Sequence, residues 1–164
     1  MHINKQLIFL MFFAFFSVCF SKAQTVKVIK YPDLAKTIEQ DNGKLKIINF
    51  WATWCRPCVS ELPQFEALLS KYGSEKIEII LVSFDFVEEL EKRVIPFVNK
   101  KNIKSEVVLL DETDYNSFID KIDPSWSGAI PATLILDYRN DKRIFLEKEF
   151  KEGELEKSYL SFIN

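Results

Sequence analysis

Histidine is almost missing from this chain: among 164 residues the only one is His2. Ser-His-Asp and Cys-His nucleophile pairs therefore have no base in the body of the protein. Glycine is scarce, at 4 residues, and neither G-x-x-x-x-G-K-[ST] nor G-x-G-x-x-G occurs. No loop is built to cradle phosphates. Cysteine is limited to 3 residues, and no second C-x-x-C accompanies Cys55 and Cys58. Zinc wants four ligands, usually Cys or His at set spacings, so carboxylates would have to complete half a site. Val59, not histidine, follows Cys58, which removes the haem-attachment pattern. Strong charge is also absent. A net of −2 with signs interspersed argues against a nucleic-acid partner. Linkers, repeats and low-complexity stretches are missing too.

What the chain does have is apolar material, 48% of its residues, enough for one well-filled domain. Part of it lies in a distinct N-terminal stretch. Lys5 gives a positive start, residues 7–16 are wholly apolar, and Ser21-Lys22-Ala23 offers small residues before a cut at Gln24. Residues 1–23 thus read as a secretory signal peptide and 24–164 as the domain it exports to the periplasm. The apolar run, 7–20, is shorter than the roughly 20 residues that span a membrane, which favours cleavage over an anchor. Lipid attachment at Cys19 would want a small residue before it, and Val18 stands there. Cleavage would remove His2 and Cys19, leaving Cys55 and Cys58 as the only cysteines. An exported domain with one close pair has not used cysteines to staple its fold, so the pair reads as a working dithiol.

Residues 25–30 alternate as a short edge strand, and 31–40 carry Leu34 and Ile38 at helical spacing behind Pro32. Residues 45–50 read as a buried strand. The helix of 59–72 buries Leu62, Phe65, Leu68, Leu69 and Tyr72, with Pro63 expected to interrupt it and Gly73 to end it. The run 77–84 reads as a central strand covered on both faces. Then follow an expected helix at 88–100, a strand at 106–110, a short helix at 113–122 and a loop at 123–130. A hairpin of 132–137 and 142–150 and a last helix at 154–163 complete the chain. That order gives an α/β fold with a mixed central sheet and helices on both faces.

The C-x-x-C sits where a strand gives way to a helix. The first turn of a helix has unpaired N–H groups and the positive end of its dipole, which favour a thiolate. Cys58 lies one turn on, close enough to close a small disulfide ring. Half a metal site and a merely structural disulfide are the competing readings.

Asn49-Phe50-Trp51-Ala52-Thr53-Trp54-Cys55-Arg56-Pro57-Cys58, then Glu61-Leu62-Pro63, then Gly128-Ala129-Ile130-Pro131-Ala132-Thr133, resemble in order the signature of the exported TlpA/ResA-like thiol-disulfide oxidoreductases of the thioredoxin superfamily. The resemblance covers 26–163. The strand and helix between Phe84 and Pro131 look like that branch's usual central insertion, beside an N-terminal extension.

The resemblance implies a thioredoxin fold with Cys55 and Cys58 as catalytic residues, Cys55 attacking and Cys58 resolving. It implies a cis bond at Ile130–Pro131 and backbone pairing of an extended substrate at Ile130. Trp54, Arg56 and Pro57 would face the substrate. Trp51 and Trp54 read as apolar flanks of the dithiol, with core packing the competing reading, above all for Trp51. No bound cofactor beyond the redox-active Cys55–Cys58 disulfide is expected.

Cytoplasmic thioredoxins carry a buried Asp six residues before the first cysteine. Here it is Asn49, as is usual in the TlpA-like branch, and Glu61 becomes the candidate for handling the proton of Cys58. The implied activity is reduction of disulfides in exported partner proteins, in cytochrome c maturation or cysteine repair. The protein would act as a monomer recharged by a membrane electron donor. A disulfide-forming oxidant and a non-enzymatic binding module are the alternatives. A peroxidase would need Thr three residues before Cys55, where Ala52 stands.

Overall fold

Strand β2 (Leu45–Trp51) is buried along its whole length. It lies in a six-stranded mixed sheet with β1 (Lys27–Ile29), β3 (Ile77–Ser83), β4 (Glu106–Leu110), β5 (Ala132–Asp137) and β6 (Lys142–Leu146), in the order β1-β4-β3-β2-β5-β6. The structure is a computed structural model that describes residues 25–163. The expected signal peptide, 1–23, lies outside them. Among the described residues no helix is long and apolar enough to cross a membrane.

β1 to β4 run parallel, with Leu45 opposite Ile77 and Trp51 opposite Ser83. β5 pairs antiparallel with β2, setting Ala132 opposite Phe50, and β6 pairs antiparallel with β5. β1 is an edge strand, as its short alternating pattern suggests.

Side chains alternate between the two faces of a strand, so the parity of β2 sorts the layers. On one face Lys46 reaches helix α1 (Tyr31–Glu39), where its Nζ donates to the carbonyls of Thr37 and, at 2.7 Å, Gln40. Phe50 lies on the same face, 4.6 Å ring to ring from Trp126. On the other face Asn49 meets helix α2 (Arg56–Tyr72) through Glu61, and Trp51 packs 5.4 Å from Phe97. Helix α5 (Glu154–Ile163) lies alongside α2, with Tyr72 and Tyr159 rings 4.2 Å apart. A buried ring such as Phe50 carries much of this packing, and its loss to Ala typically removes about 3–5 kcal/mol.

Four expectations change. The expected helix at 88–100 is three pieces: a 3-10 turn Val87–Glu89, a π-helical turn Leu90–Val94, and helix α3 (Ile95–Lys101). Pro96, in the first turn of α3, has no N–H for the carbonyl one turn back, and its ring crowds that turn. The wider π turn absorbs the misfit through Ile95 N–H to Leu90 C=O.

The expected helix at 113–122 splits into a 3-10 turn Tyr115–Ser117 and α4 (Ile119–Ile122). Phe118 leaves helical geometry at φ −133° and packs its ring between Tyr31 and Phe84. The return strand ends at Leu146 rather than at 150, because Glu147 turns to the backbone and hydroxyl of Ser127 and Phe150 turns to Glu61. Helix α2 runs through Pro63 without interruption, its end marked by Gly73 at φ +83°.

Candidate active site

β2 delivers the chain to the carboxyl edge of the sheet, between β3 and β5. After Trp51 the backbone makes a tight turn, closed by Cys55 N–H to Ala52 C=O at 3.1 Å. Cys55 is then the N-cap of α2, with Arg56 and Pro57 exposed in the first turn. Cys55 and Cys58 form a disulfide with S–S 2.01 Å and Cα atoms 5.3 Å apart. The Cys58 N–H points at Cys55 Sγ, 3.3 Å away. Once the bond is reduced, that amide and the helix dipole favour a thiolate at Cys55 over one at Cys58. Cys55 retains 6% of its surface and Cys58 none, so Cys55 is the sulfur that a partner can reach.

The peptide bond Ile130–Pro131 is cis, and the Ile130 carbonyl oxygen lies 3.8 Å from Cys55 Sγ. Trp126 organises the loop that brings it there. Its Nε1–H donates to Ala129 C=O at 2.8 Å, and its ring sits among Phe50, Phe84 and Phe145. Gly128, at φ +91°, passes so close to Ile119 that a Cβ would stand 2.9 Å from Cδ1. Pro131 is buried and Ile130 half-buried. Cys55, Cys58, Ile130 and Pro131 are thus brought together, with Arg56, Pro57 and Trp54 exposed at their margin. Trp51 parts from Trp54: it is fully buried in the core, whereas Trp54 keeps 59% of its surface.

Beneath the dithiol lies Glu61, three residues after Cys58 and so on the same face of α2. It is completely buried. Asn49 Nδ2 donates to its Oε1 at 2.8 Å, and the Phe150 backbone N–H donates to its Oε2 at 2.7 Å. Loss of water outweighs those two donors, and burial pushes the Glu61 carboxyl up to about 7. Asn49 Nδ2 also donates to Thr133 Oγ1 at 3.0 Å, while Asn49 Oδ1 has no hydrogen-bond partner. A half-turn of this amide would present Oδ1 to a protonated Glu61, so the pair can serve either charge state.

A second carboxylate beside the dithiol escaped the sequence reading. Asp85 follows β3 and is 3% exposed. It accepts the Thr53 N–H at 2.9 Å, the Thr53 hydroxyl at 2.5 Å and the Ser83 hydroxyl at 2.8 Å. It ties the turn that precedes Cys55 to the end of β3. A charged residue directly after a long apolar run was the available signal. Among the described residues no cluster of three or more His, Cys, Asp or Glu side chains is placed to hold a metal ion.

Known proteins share this arrangement. The model of the AhpC/TSA family matches residues 21–141. The chain is 32% identical over 101 residues to a thioredoxin-like protein, YneN, of Bacillus subtilis, covering 62% of this chain and 55% of that one. It is 34% identical over 120 residues to a thiol-disulfide oxidoreductase, ResA, of Bacillus cereus, covering 70% and 64%. The chain therefore spans less than two thirds of the length of these curated relatives. A thioredoxin-like protein of Porphyromonas gingivalis superposes with TM-score 0.55 at 28% identity, covering 76% of this chain and 77% of that one. A thioredoxin-related protein of Neisseria meningitidis serogroup B gives TM-score 0.63 at 17% identity, over 77% and 91%.

Proposed function

Because this chain belongs to the AhpC/TSA family and is a TlpA/ResA-like member of the thioredoxin superfamily, we propose that it is a thiol-disulfide oxidoreductase that reduces disulfides in exported proteins. The observation that carries the reading is the Cys55–Cys58 bond at the start of α2, with the outer sulfur facing both an amide donor and the Ile130 carbonyl. The reduced protein acts first through Cys55. Its thiolate attacks one sulfur of a partner cystine, the partner's S–S bond breaks, and one partner thiolate leaves and takes up a proton. Cys58, deprotonated with Glu61 as acceptor, then attacks Cys55 Sγ. The mixed disulfide breaks, the second partner thiol departs, and two electrons have passed from the dithiol to the partner. A carboxyl held near 7 suits that transfer at neutral pH. Ile130 offers backbone pairing to an extended substrate segment.

In this reading the protein works as a monomer in the periplasm after cleavage before Gln24, recharged by a membrane electron donor, and serves cytochrome c maturation or cysteine repair. The sequence of residues 1–23 supports export. Peroxidase chemistry is disfavoured by the surroundings of Cys55: Ala52 offers no hydroxyl, and the Thr53 hydroxyl is spent on Asp85.

Cys58→Ser tests the proposal. It should abolish turnover of a protein disulfide and trap mixed disulfides through Cys55. A wild type that turns over no protein disulfide, with a variant that traps nothing, identifies a binding module instead. Equilibration with a glutathione series gives the direction: a potential near that of strong periplasmic oxidants overturns the reductase reading.

A further inference from the structure

Phe86 has no part in the chemistry above, yet it is the most exposed large apolar residue among those described, at 67%. Trp54 is next, at 59%. The segments that carry them are held together by the end of the β2–β3 ladder and by one side-chain tie. Trp51 pairs with Ser83, and Phe84 N–H donates to Trp51 C=O at 2.8 Å, extending the parallel ladder one step beyond the strands. Thr53 and Asp85 are then joined by two hydrogen bonds. Trp54 and Phe86 follow at the next position of each segment. The tie between Thr53 and Asp85 thus holds the two exposed aromatic residues on adjoining segments, on the β3 side of Cys55. Asp85 is the strut that holds the two turns in step.

Resting on the oxidoreductase reading, we propose that Trp54 and Phe86 form one docking surface for an extended, apolar and basic segment beside the cystine of the partner protein. Three observations favour that occupant. Cys55 shows only 6% of its surface, so the arriving sulfur must be carried on a narrow, extended strip of chain. Two exposed aromatic side chains next to the attacking sulfur match apolar flanks, which anchor interfaces through area taken from water. The rim beyond Phe86 is net acidic: Glu88 and Glu91 are exposed, Glu89 is paired with Arg93 at 3.2 Å, and Lys92 is the one remaining exposed cation of 87–93. Acidic flanks would be repelled there and basic ones drawn in.

The test uses the reduced full chain and two synthetic cyclic peptides, each closed by one cystine. One carries Leu and Lys beside the half-cystines, the other Ser and Glu. The wild type should oxidise faster with the first by about tenfold in kcat/KM, the scale of one buried apolar side chain. Phe86→Ser should lower the ratio of the two peptides by about threefold, Trp54 and the acidic rim holding the remainder, and Phe86→Leu should restore most of it. Ile144→Ser, which removes an exposed apolar side chain on β6, should leave the ratio as it was. A wild-type ratio near one, or an undiminished ratio in Phe86→Ser, overturns the docking surface while leaving the dithiol chemistry standing. Failure of both peptides to oxidise the reduced protein overturns the oxidoreductase reading and the docking surface with it.

Discussion

Glu61 and Asp137 are equally shut off from solvent, both at 0% exposure, and their carboxyls are driven in opposite directions. Asp137, at the end of β5, is held below its ordinary carboxylate value by hydrogen bonds from the Arg139 guanidinium, at 2.9 and 3.1 Å, which outweigh its burial. Asn140 Nδ2 and the Arg139 backbone N–H add two more donors. Glu61 receives two donors, neither of them charged, and burial carries it up to about 7. At Glu61 burial outweighs the donors, and at Asp137 the donors outweigh burial. One carboxylate is finished as a structural tie, with every role filled. The other is left short of partners under a reactive sulfur, where a group that gains and loses a proton near neutrality is useful.

The largest consequence falls on stability at neutral pH. Glu61 binds its proton more tightly in the folded chain than in the unfolded one. Its contribution is fully present below its ordinary value of 4.5 and is lost as pH rises through about 7. The loss is on the order of 3 kcal/mol across that window. Urea midpoints of the disulfide form should fall between pH 5 and 8, and in Glu61→Gln that slope should vanish. The rate at which Cys58 resolves a mixed disulfide should lose its inflection near pH 7 in the same variant. A slope that survives the substitution assigns the titration to another group.

Asp137 obeys the opposite sign. Its folded value is depressed, so its contribution stands above the ordinary carboxylate range and is lost as pH falls through the lower folded value. Asp137→Asn should lose about 2 kcal/mol at pH 7, the scale of charge-assisted hydrogen bonds broken at a buried site, with Arg139 half-exposed and able to rehydrate. The variant should also lose that component of wild-type acid sensitivity, measured by denaturant midpoints from pH 6 downward. Disulfide reduction should be unaltered; a change in its pH profile would erase the distinction between the tie and the proposed proton carrier.

Making the two sites more alike is a finer probe. Asn49→Asp sets a second carboxylate against Glu61, where the amide nitrogen now stands 2.8 Å away. Two carboxylates at that range share one proton and titrate as a pair in two steps. The upper step should move above the wild-type value by about one pH unit or more, read from the carbon resonances of labelled carboxyl groups. A single unshifted titration would mean that the carboxylates have turned away from one another.

Much of this arrangement was legible in the chain because it depends on short spacings. Cys55 and Cys58, the strand-to-helix junction and Glu61 one turn on are all local. The cis bond at Pro131 came from a resemblance in sequence motif. Other parts depend on contacts that spacing does not encode. The donor to Glu61 Oε2 is the backbone of Phe150, 89 residues away, in a segment whose alternation reads as strand. Its carbonyl accepts from Gln64 at 2.6 Å, so α2 grips both sides of one residue and takes it out of the ladder. In sequence Asp85 is one charge after a central strand, and only the register of β2 with β3 brings it to Thr53. The broken helix at 87–101 shows the same limit. Its apolar periodicity was sound, with Val94 and Val98 buried, but periodicity does not report how the backbone accommodates Pro96.

Asp85 gives the comparison its most delicate check, because it lies near the dithiol like Glu61 yet is tied down like Asp137. Thr53→Val removes one hydroxyl donor and keeps the backbone N–H that also binds the carboxylate. The loss should be about 1 kcal/mol, a single net hydrogen bond, visible as a small shift in urea midpoint. The midpoint difference from wild type should be constant between pH 5 and 8, where Glu61 titrates. If it instead grows or shrinks through pH 7, the two carboxylates are coupled through the turn at Cys55, and proton handling belongs to both. A constant difference leaves Glu61 as the titrating group beneath the dithiol and Asp85 as the strut that holds Thr53, Trp54 and Cys55 in place.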